Sequence, residues 1–130
     1  MNSIADMMRS FPDFIGSNGR SEKEITEAER VLELCFSPDY RQYLREIGLA
    51  SFDGHELTGL TANKRLNVVS VTASNRNGDS DIPNSWYVIE EANIDGIVIW
   101  QNSSGEVFQA MPGTNAKKIC DSLVEFVTRE

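Results

Sequence analysis

Residues 37 to 48, Ser-Pro-Asp-Tyr-Arg-Gln-Tyr-Leu-Arg-Glu-Ile-Gly, spell out a whole helix together with both of its ends. Ser37 can accept from the free N–H groups of a first turn, Pro38 suits the first helical position where no N–H is needed, and Asp39 complements the positive end of the dipole. Tyr40, Tyr43, Leu44 and Ile47 recur at helical spacing on one face, and Gly48 stands where a left-handed stop is wanted. Two tyrosines on one such face are unusual.

The rest of the chain arranges itself around this element. Ile4, Met7, Met8 and Phe11 predict a short first helix, capped by Asn2 or Ser3 and ended near Pro12. Gly16, Asn18 and Gly19 have turn chemistry, and Ser21 with Glu24 makes a capping box ahead of a second helix. Its expected buried face is Ile25, Ala28, Val31, Leu32 and Cys35, with Glu22, Glu24, Glu27, Glu29, Arg30 and Glu33 mostly on the wet side. Only Phe36 and Ser37 would then separate the two helices, a tight corner that turns both apolar faces toward a common sheet.

After Gly48 the texture changes. Phe52, Leu57 and Leu60, punctuated by Gly54 and Gly59, predict a short strand entered and left through turns. Residues 66 to 77 are β-branched enough for a strand, yet Val68, Val69, Thr72, Ala73 and Arg76 mark a helical face, and a short helix is the reading taken. Trp86 to Ile89, Ile97 to Trp100 and Glu106 to Gln109 predict three antiparallel strands joined at Asn93 to Gly96 and Asn102 to Gly105. The unalternating run Ile97 to Trp100 requires cover on both faces. Pro112 and Gly113 would end the sheet. Ile119, Cys120, Leu123, Phe126 and Val127 then predict a final helix capped by Thr114 or Asn115. The expectation is a single domain over residues 1–130, of α+β class, with N-terminal helices packed on a mainly antiparallel sheet and a closing C-terminal helix.

The 130 residues carry a formal charge of −8, which argues against nucleic acid as a direct partner, because phosphate backbones need Lys and Arg to displace counterions. The imbalance is local. Residues 1 to 76 hold 11 acids and 9 bases and residues 117 to 130 hold 3 of each, whereas residues 77 to 116 hold 6 acids and no Lys or Arg. This segment is either a solubilising surface or a recognition patch for a basic protein. No apolar run is long enough to span a bilayer, and the start, MNSIADMMRSF, lacks a secretory pattern, so a cytoplasmic protein is expected. Cys35 and Cys120 lack CxxC spacing and both fall on the apolar side of expected helices, which predicts two buried free thiols.

A search for chemistry finds little. His55 is the only histidine, so Asp53-Gly54-His55-Glu56 is the best candidate for an acid–base or metal role, with turn chemistry as the cheaper explanation. Residues 75 to 81 place oxygen ligands at alternate positions like a calcium loop, but Ser80 stands where the turn glycine belongs and Trp86 where the bidentate Glu belongs. No glycine pattern supports a nucleotide site, no serine sits in a nucleophile elbow, and Glu90-Glu91 should diverge at a strand end. No cofactor and no metal are expected. Tyr40, Tyr43, Trp86 and Trp100 are either core or interface anchors.

The order of these signals resembles the SUKH superfamily, also called the Smi/Knr family. Ser37 to Leu44 followed by Gly48 is similar to its LPxxYxxFLxxxNG signature. The likeness continues through Gly54 and Leu57, Trp86 to Ile89, Asp95-Gly96, Gly105 to Phe108 and Ser122 to Phe126, with Ser37 in place of Leu and Ile47-Gly48 in place of Asn-Gly. The resemblance implies a bacterial immunity protein that binds and neutralises a cognate protein toxin, often a nuclease, without catalytic residues of its own. A regulatory adaptor of the same fold binding an endogenous protein is the alternative. On this reading the partner-binding carboxylates are Asp79, Asp81, Glu90, Glu91, Asp95 and Glu106, facing a basic nuclease domain and helped by whichever aromatic is exposed nearby.

Overall fold

The computed structural model describes residues 3–76, 82–92, 95–111 and 114–129. In chain order the elements are α1 (Ile4–Arg9), β1 (Ile15–Gly16), α2 (Glu22–Leu32), α3 (Pro38–Glu46), β2 (Ala50–Phe52), β3 (His55–Glu56), α4 (Val68–Arg76), β4 (Tyr87–Glu91), β5 (Val98–Gln101), β6 (Val107–Ala110), β7 (Lys117–Cys120) and α5 (Leu123–Thr128). The strands form two antiparallel sheets, β1-β2-β3 and β4-β5-β6-β7. A bridge between Leu57 and Glu90 and a bond from Thr58 N–H to the Ile89 carbonyl at 2.8 Å run one into the other. The fold is the expected α+β arrangement.

α3 behaves as its sequence dictates. The Ser37 hydroxyl accepts from Tyr40 N–H at 3.3 Å, Pro38 opens the helix, and Gly48 adopts φ of 84° just beyond it. Tyr40, Tyr43 and Leu44 are buried, and both phenols reach Thr58: Tyr40 Oη lies 2.8 Å from its Oγ1, and Tyr43 donates to its carbonyl at 2.8 Å. Thr58 Oγ1 in turn donates to the Val88 carbonyl at 2.8 Å, so the anchor helix is bonded to the seam between the two sheets. A second buried polar group sits at its N-terminus. Tyr87 Oη accepts from Ser37 N–H at 2.8 Å and donates to Gln101 Oε1 at 2.7 Å, and Gln101 Nε2 donates to the Gly105 carbonyl at 3.0 Å. Asp39 accepts from Leu123 N–H at 2.8 Å, which ties the start of α5 to the start of α3.

The expected capping box of Ser21 with Glu24 forms on α2, and Ser3, the cap of α1, forms a second one with Asp6. Residues 68–76 are helical, and Val68, Val71 and Thr72 are the buried positions. β5 is covered on both faces: Ile99 belongs to the main core, and Trp100 to a smaller cluster with Val71, Ile82, Val88 and Ala110 on the opposite side of the sheet.

Four expectations are corrected. Ile119 and Cys120 belong to a fourth strand, β7, and only Leu123–Thr128 is helical, capped by Ser122 rather than Thr114 or Asn115; the sheet therefore continues past the expected stop at Pro112 and Gly113, which lie outside the described residues. α2 ends at Leu32 because Glu33 turns left-handed at φ of 58°, which lengthens the corner before α3 and leaves Cys35 exposed, off the helix. Val31 is 53% exposed instead of buried. Glu29 does not merely face water: it accepts from Phe36 N–H at 2.8 Å and pairs with Arg41 at 2.7 Å across the corner. Strand β1 and the division of residues 50–56 into a hairpin were not anticipated.

Candidate partner-binding surface

The acidic strand β4 carries a bulge, and the bulge decides where its carboxylates point. Tyr87 and Val88 pair with Gln101 and Trp100, but Glu90 pairs with Ile99, leaving Ile89 as the extra residue. Regular alternation would place Glu90 on the same face as Val88. The inserted residue reverses the order, turning Glu90 to the main-core side and Glu91 to the outer side. Glu90 is 6% exposed, with one oxygen 3.0 Å from His55 Nδ1 and the other accepting Glu56 N–H at 2.7 Å. It cannot present its charge to a partner at the surface. Its engagement with β3 instead reinforces the joint between the sheets.

His55 is thus paired with Glu90, and neither Asp53 nor Glu56 fills that place. The imidazole is tilted against Phe52 and Phe126, at centroid distances of 5.7 and 5.1 Å. The hydrogen bond to the Glu90 carboxylate raises its pKa above the ordinary value, against a smaller opposing effect of burial. The pair forms part of the wall of a cleft of about 240 Å³ that is also lined by Ile97, Ile99, Gln109 and Arg129. No serine or cysteine among the described residues lines it. Among the described residues no group of three or more His, Cys, Asp or Glu side chains could hold a metal ion.

The outer face of the four-stranded sheet is different in kind. Trp100 is buried there at 2%, but Trp86 and Phe108 are only half-buried, and they stack at 3.8 Å with their planes 12° apart. Since β5 lies between β4 and β6, the Trp86 indole reaches across it to meet Phe108. Arg76 fixes its base, donating to the Trp86 carbonyl at 3.3 Å and to the Asn84 carbonyl. Phe108 stands opposite Lys118 on β7, whose ammonium lies 3.0 Å from Glu106 and 2.6 Å from Asp121. Asn102 and Lys118 hold the Glu106 carboxyl below its usual pKa.

The four described residues among the six expected contact carboxylates do not converge. Asp79 and Asp81 lie outside the described residues, and Glu90 is internal. Glu91 accepts from Asn75 of α4 at 3.1 Å on the outer side, Asp95 is exposed in the β4–β5 connection, and Glu106 sits beyond the other end of β5. The aromatic that accompanies them is the half-buried Trp86, stacked on Phe108; the pairing was missed because it depends on register across three strands.

A third feature is a groove of about 610 Å³ between α2 and residues 60 to 69, floored by Ala28, Val31, Leu60, Ala62 and Val69 and rimmed by Arg20, Lys23, Glu24 and Glu27. Its rim carries two charges of each sign, so it offers no net field to a charged partner.

No curated protein matches the chain. A family model does: SUKH_5, described as SMI1-KNR4 cell-wall, matches residues 1–130. With the capped helix, the sheet and the closing helix in place over that same span, the chain belongs to the SUKH (SMI1-KNR4) family.

Proposed function

We propose that the chain is an immunity protein that binds and neutralises a cognate protein toxin, a nuclease with a basic active face. Membership of a generally non-catalytic family, whose proteins act by binding other proteins, supports a binding role. The observation that carries the finer reading is the segregation of charge, with no Lys or Arg between residues 77 and 116, beside a half-buried aromatic stack on the outer face of the sheet. A nuclease must be basic where it meets phosphate, and carboxylates offered in place of the phosphate block it with fast, steered association. Of the six carboxylates first considered, Glu91, Asp95 and Glu106 are the described ones that can reach a partner, with Asp79 and Asp81 completing the proposal. The family description names the cell wall, and this favours a second reading, a regulatory adaptor for an endogenous protein, with the same surface and a different partner.

Co-expression with a toxin encoded beside the gene tests the first reading. Protected growth and a stable complex support it, while killing in the presence of soluble inhibitor refutes it for that toxin. Reversing Glu91, Asp95 and Glu106 to Lys should slow association and flatten its salt dependence; unchanged kinetics would place the interface elsewhere.

A further inference from the structure

We propose that the Trp86–Phe108 stack receives an arginine side chain of the partner, with Glu106 as the counter-charge. The inference rests on the reading of the chain as a binder of a basic protein and specifies how that protein is held. Two aromatic rings stacked at 3.8 Å and 12° cover one face of each other and leave the opposite faces without another aromatic partner among the described residues, each with the negative quadrupole that attracts a cation. The rings are half-buried, while Trp100 on the same face is 2% exposed. Trp100 thus closes the small cluster beneath, and the outer pair presents aromatic surface beyond it.

The platform is also held in place before any partner arrives. Trp86 N–H donates to the Pro83 carbonyl at 3.1 Å, and Arg76 donates to the Trp86 carbonyl from the end of α4. A platform already ordered loses little entropy when it is occupied. Charge favours a cationic occupant. Strands β4, β5 and β6 contain no Lys or Arg, and beside Phe108 one ammonium, Lys118, is shared between two carboxylates, Glu106 and Asp121, so that this trio is net negative. Of the other nearby cations, Arg76 is turned to backbone carbonyls under Trp86 and Lys117 stands opposite Gln109 rather than Phe108. Arginine fits better than lysine, because its planar, weakly hydrated guanidinium can lie on a ring and still donate edgewise to a carboxylate.

The test uses acetyl-tetraarginine amide, titrated into the ¹⁵N-labelled full chain while the indole N–H signals of the two tryptophans are followed. The Trp86 signal should shift saturably and the Trp100 signal should stay; W86L should bind about fivefold more weakly, and tetralysine more weakly than tetraarginine. F108L, which removes the other ring, is the second variant should W86L fail to fold. Affinity unchanged in the folded variants, or shifts confined to other regions, overturns the proposal. A Trp86 signal that moves with protein concentration alone would make a second copy the occupant and overturns it equally. The immunity reading fails separately: peptide binding at Trp86 with no protection against a co-expressed toxin refutes that reading alone, and protection unaffected by W86L refutes this one alone.

Discussion

Replacing Tyr87 by Phe removes one oxygen from the interior, and the structure says what that oxygen does. It accepts from Ser37 N–H at 2.8 Å and donates to Gln101 Oε1 at 2.7 Å, with both partner residues fully buried. Gln101 Oε1 keeps a neighbour in Ser37 Oγ at 3.1 Å, but Ser37 N–H has no other acceptor among the described residues. An orphaned buried N–H costs about 1–3 kcal/mol, and the lost bond to Gln101 adds about 1 kcal/mol, so Tyr87→Phe should destabilise by about 2–4 kcal/mol. That is a large share of the roughly 5–15 kcal/mol a domain has in total. Tyr40→Phe is the internal control. Its hydroxyl meets Thr58 Oγ1, which still donates to the Val88 carbonyl, so nothing is stranded and about 1 kcal/mol is expected. Urea unfolding followed by tryptophan fluorescence, with slopes unchanged between variants, reads both values. A Tyr87→Phe variant no less stable than Tyr40→Phe would refute the assignment of that oxygen as the acceptor for the α3 cap.

Three further expectations concern other parts of the molecule. Because Glu90 raises the pKa of His55 in the folded state, the pair contributes stability that is fully present below the unfolded value of about 6.5 and is lost as pH rises through the folded value; NMR titration of the single histidine, with urea midpoints of wild type and H55N on either side, checks it, and a His55 titrating at or below 6.5 refutes it. One thiol, Cys35, should react promptly with a disulfide reagent in the native protein, while Cys120, buried and with its pKa raised by burial, should react only on unfolding; two fast thiols would contradict this. Gly59→Ala would place a methyl carbon 1.9 Å from the Gly48 carbonyl oxygen and push apart the segments joined by the Leu60 N–H bond to it at 3.0 Å, at a cost of about 3 kcal/mol. Gly54→Ala meets nothing within 4 Å and carries only the strain of its φ of 80°, about 1 kcal/mol; equal thermal shifts for the two variants would refute the contrast.

What could be read in the sequence was what is encoded locally. The whole of α3 was legible because its cap, its proline, its apolar stripe and its stop glycine lie within residues 37 to 48, and the Ser21–Glu24 capping box was legible for the same reason. The closing helix was overextended because Ile119 and Cys120 continue the spacing of Leu123, Phe126 and Val127, while a bulge at Ile119 between the Val107 and Phe108 pairings breaks the alternation that would have marked a strand. A usable signal was present: Ser122 followed by Glu125 marks the true start, and Ser122 does accept from Glu125 N–H at 3.0 Å. The candidate surface was less legible. Nothing in Glu90-Glu91 announces the extra residue at Ile89 that sends one carboxylate inward, and the joining of Trp86 to Phe108 depends on the pairing of β4 and β6 with the strand between them. Val31 has the spacing of a core residue, yet it faces a groove, because what packs beside α2 is decided by residues 60 to 69.

Strand β7 ends the four-stranded sheet, and its outer backbone edge has no neighbour among the described strands. Such an edge invites a second molecule to zip on, yet Lys117 and Lys118 stand exposed along it. Two copies meeting edge to edge would have to accommodate both side chains, with Lys118 already held by Glu106 and Asp121 and Lys117 set against the incoming strand. Two of the chain's four lysines thereby stand where they keep neighbouring copies from annealing into an extended ribbon.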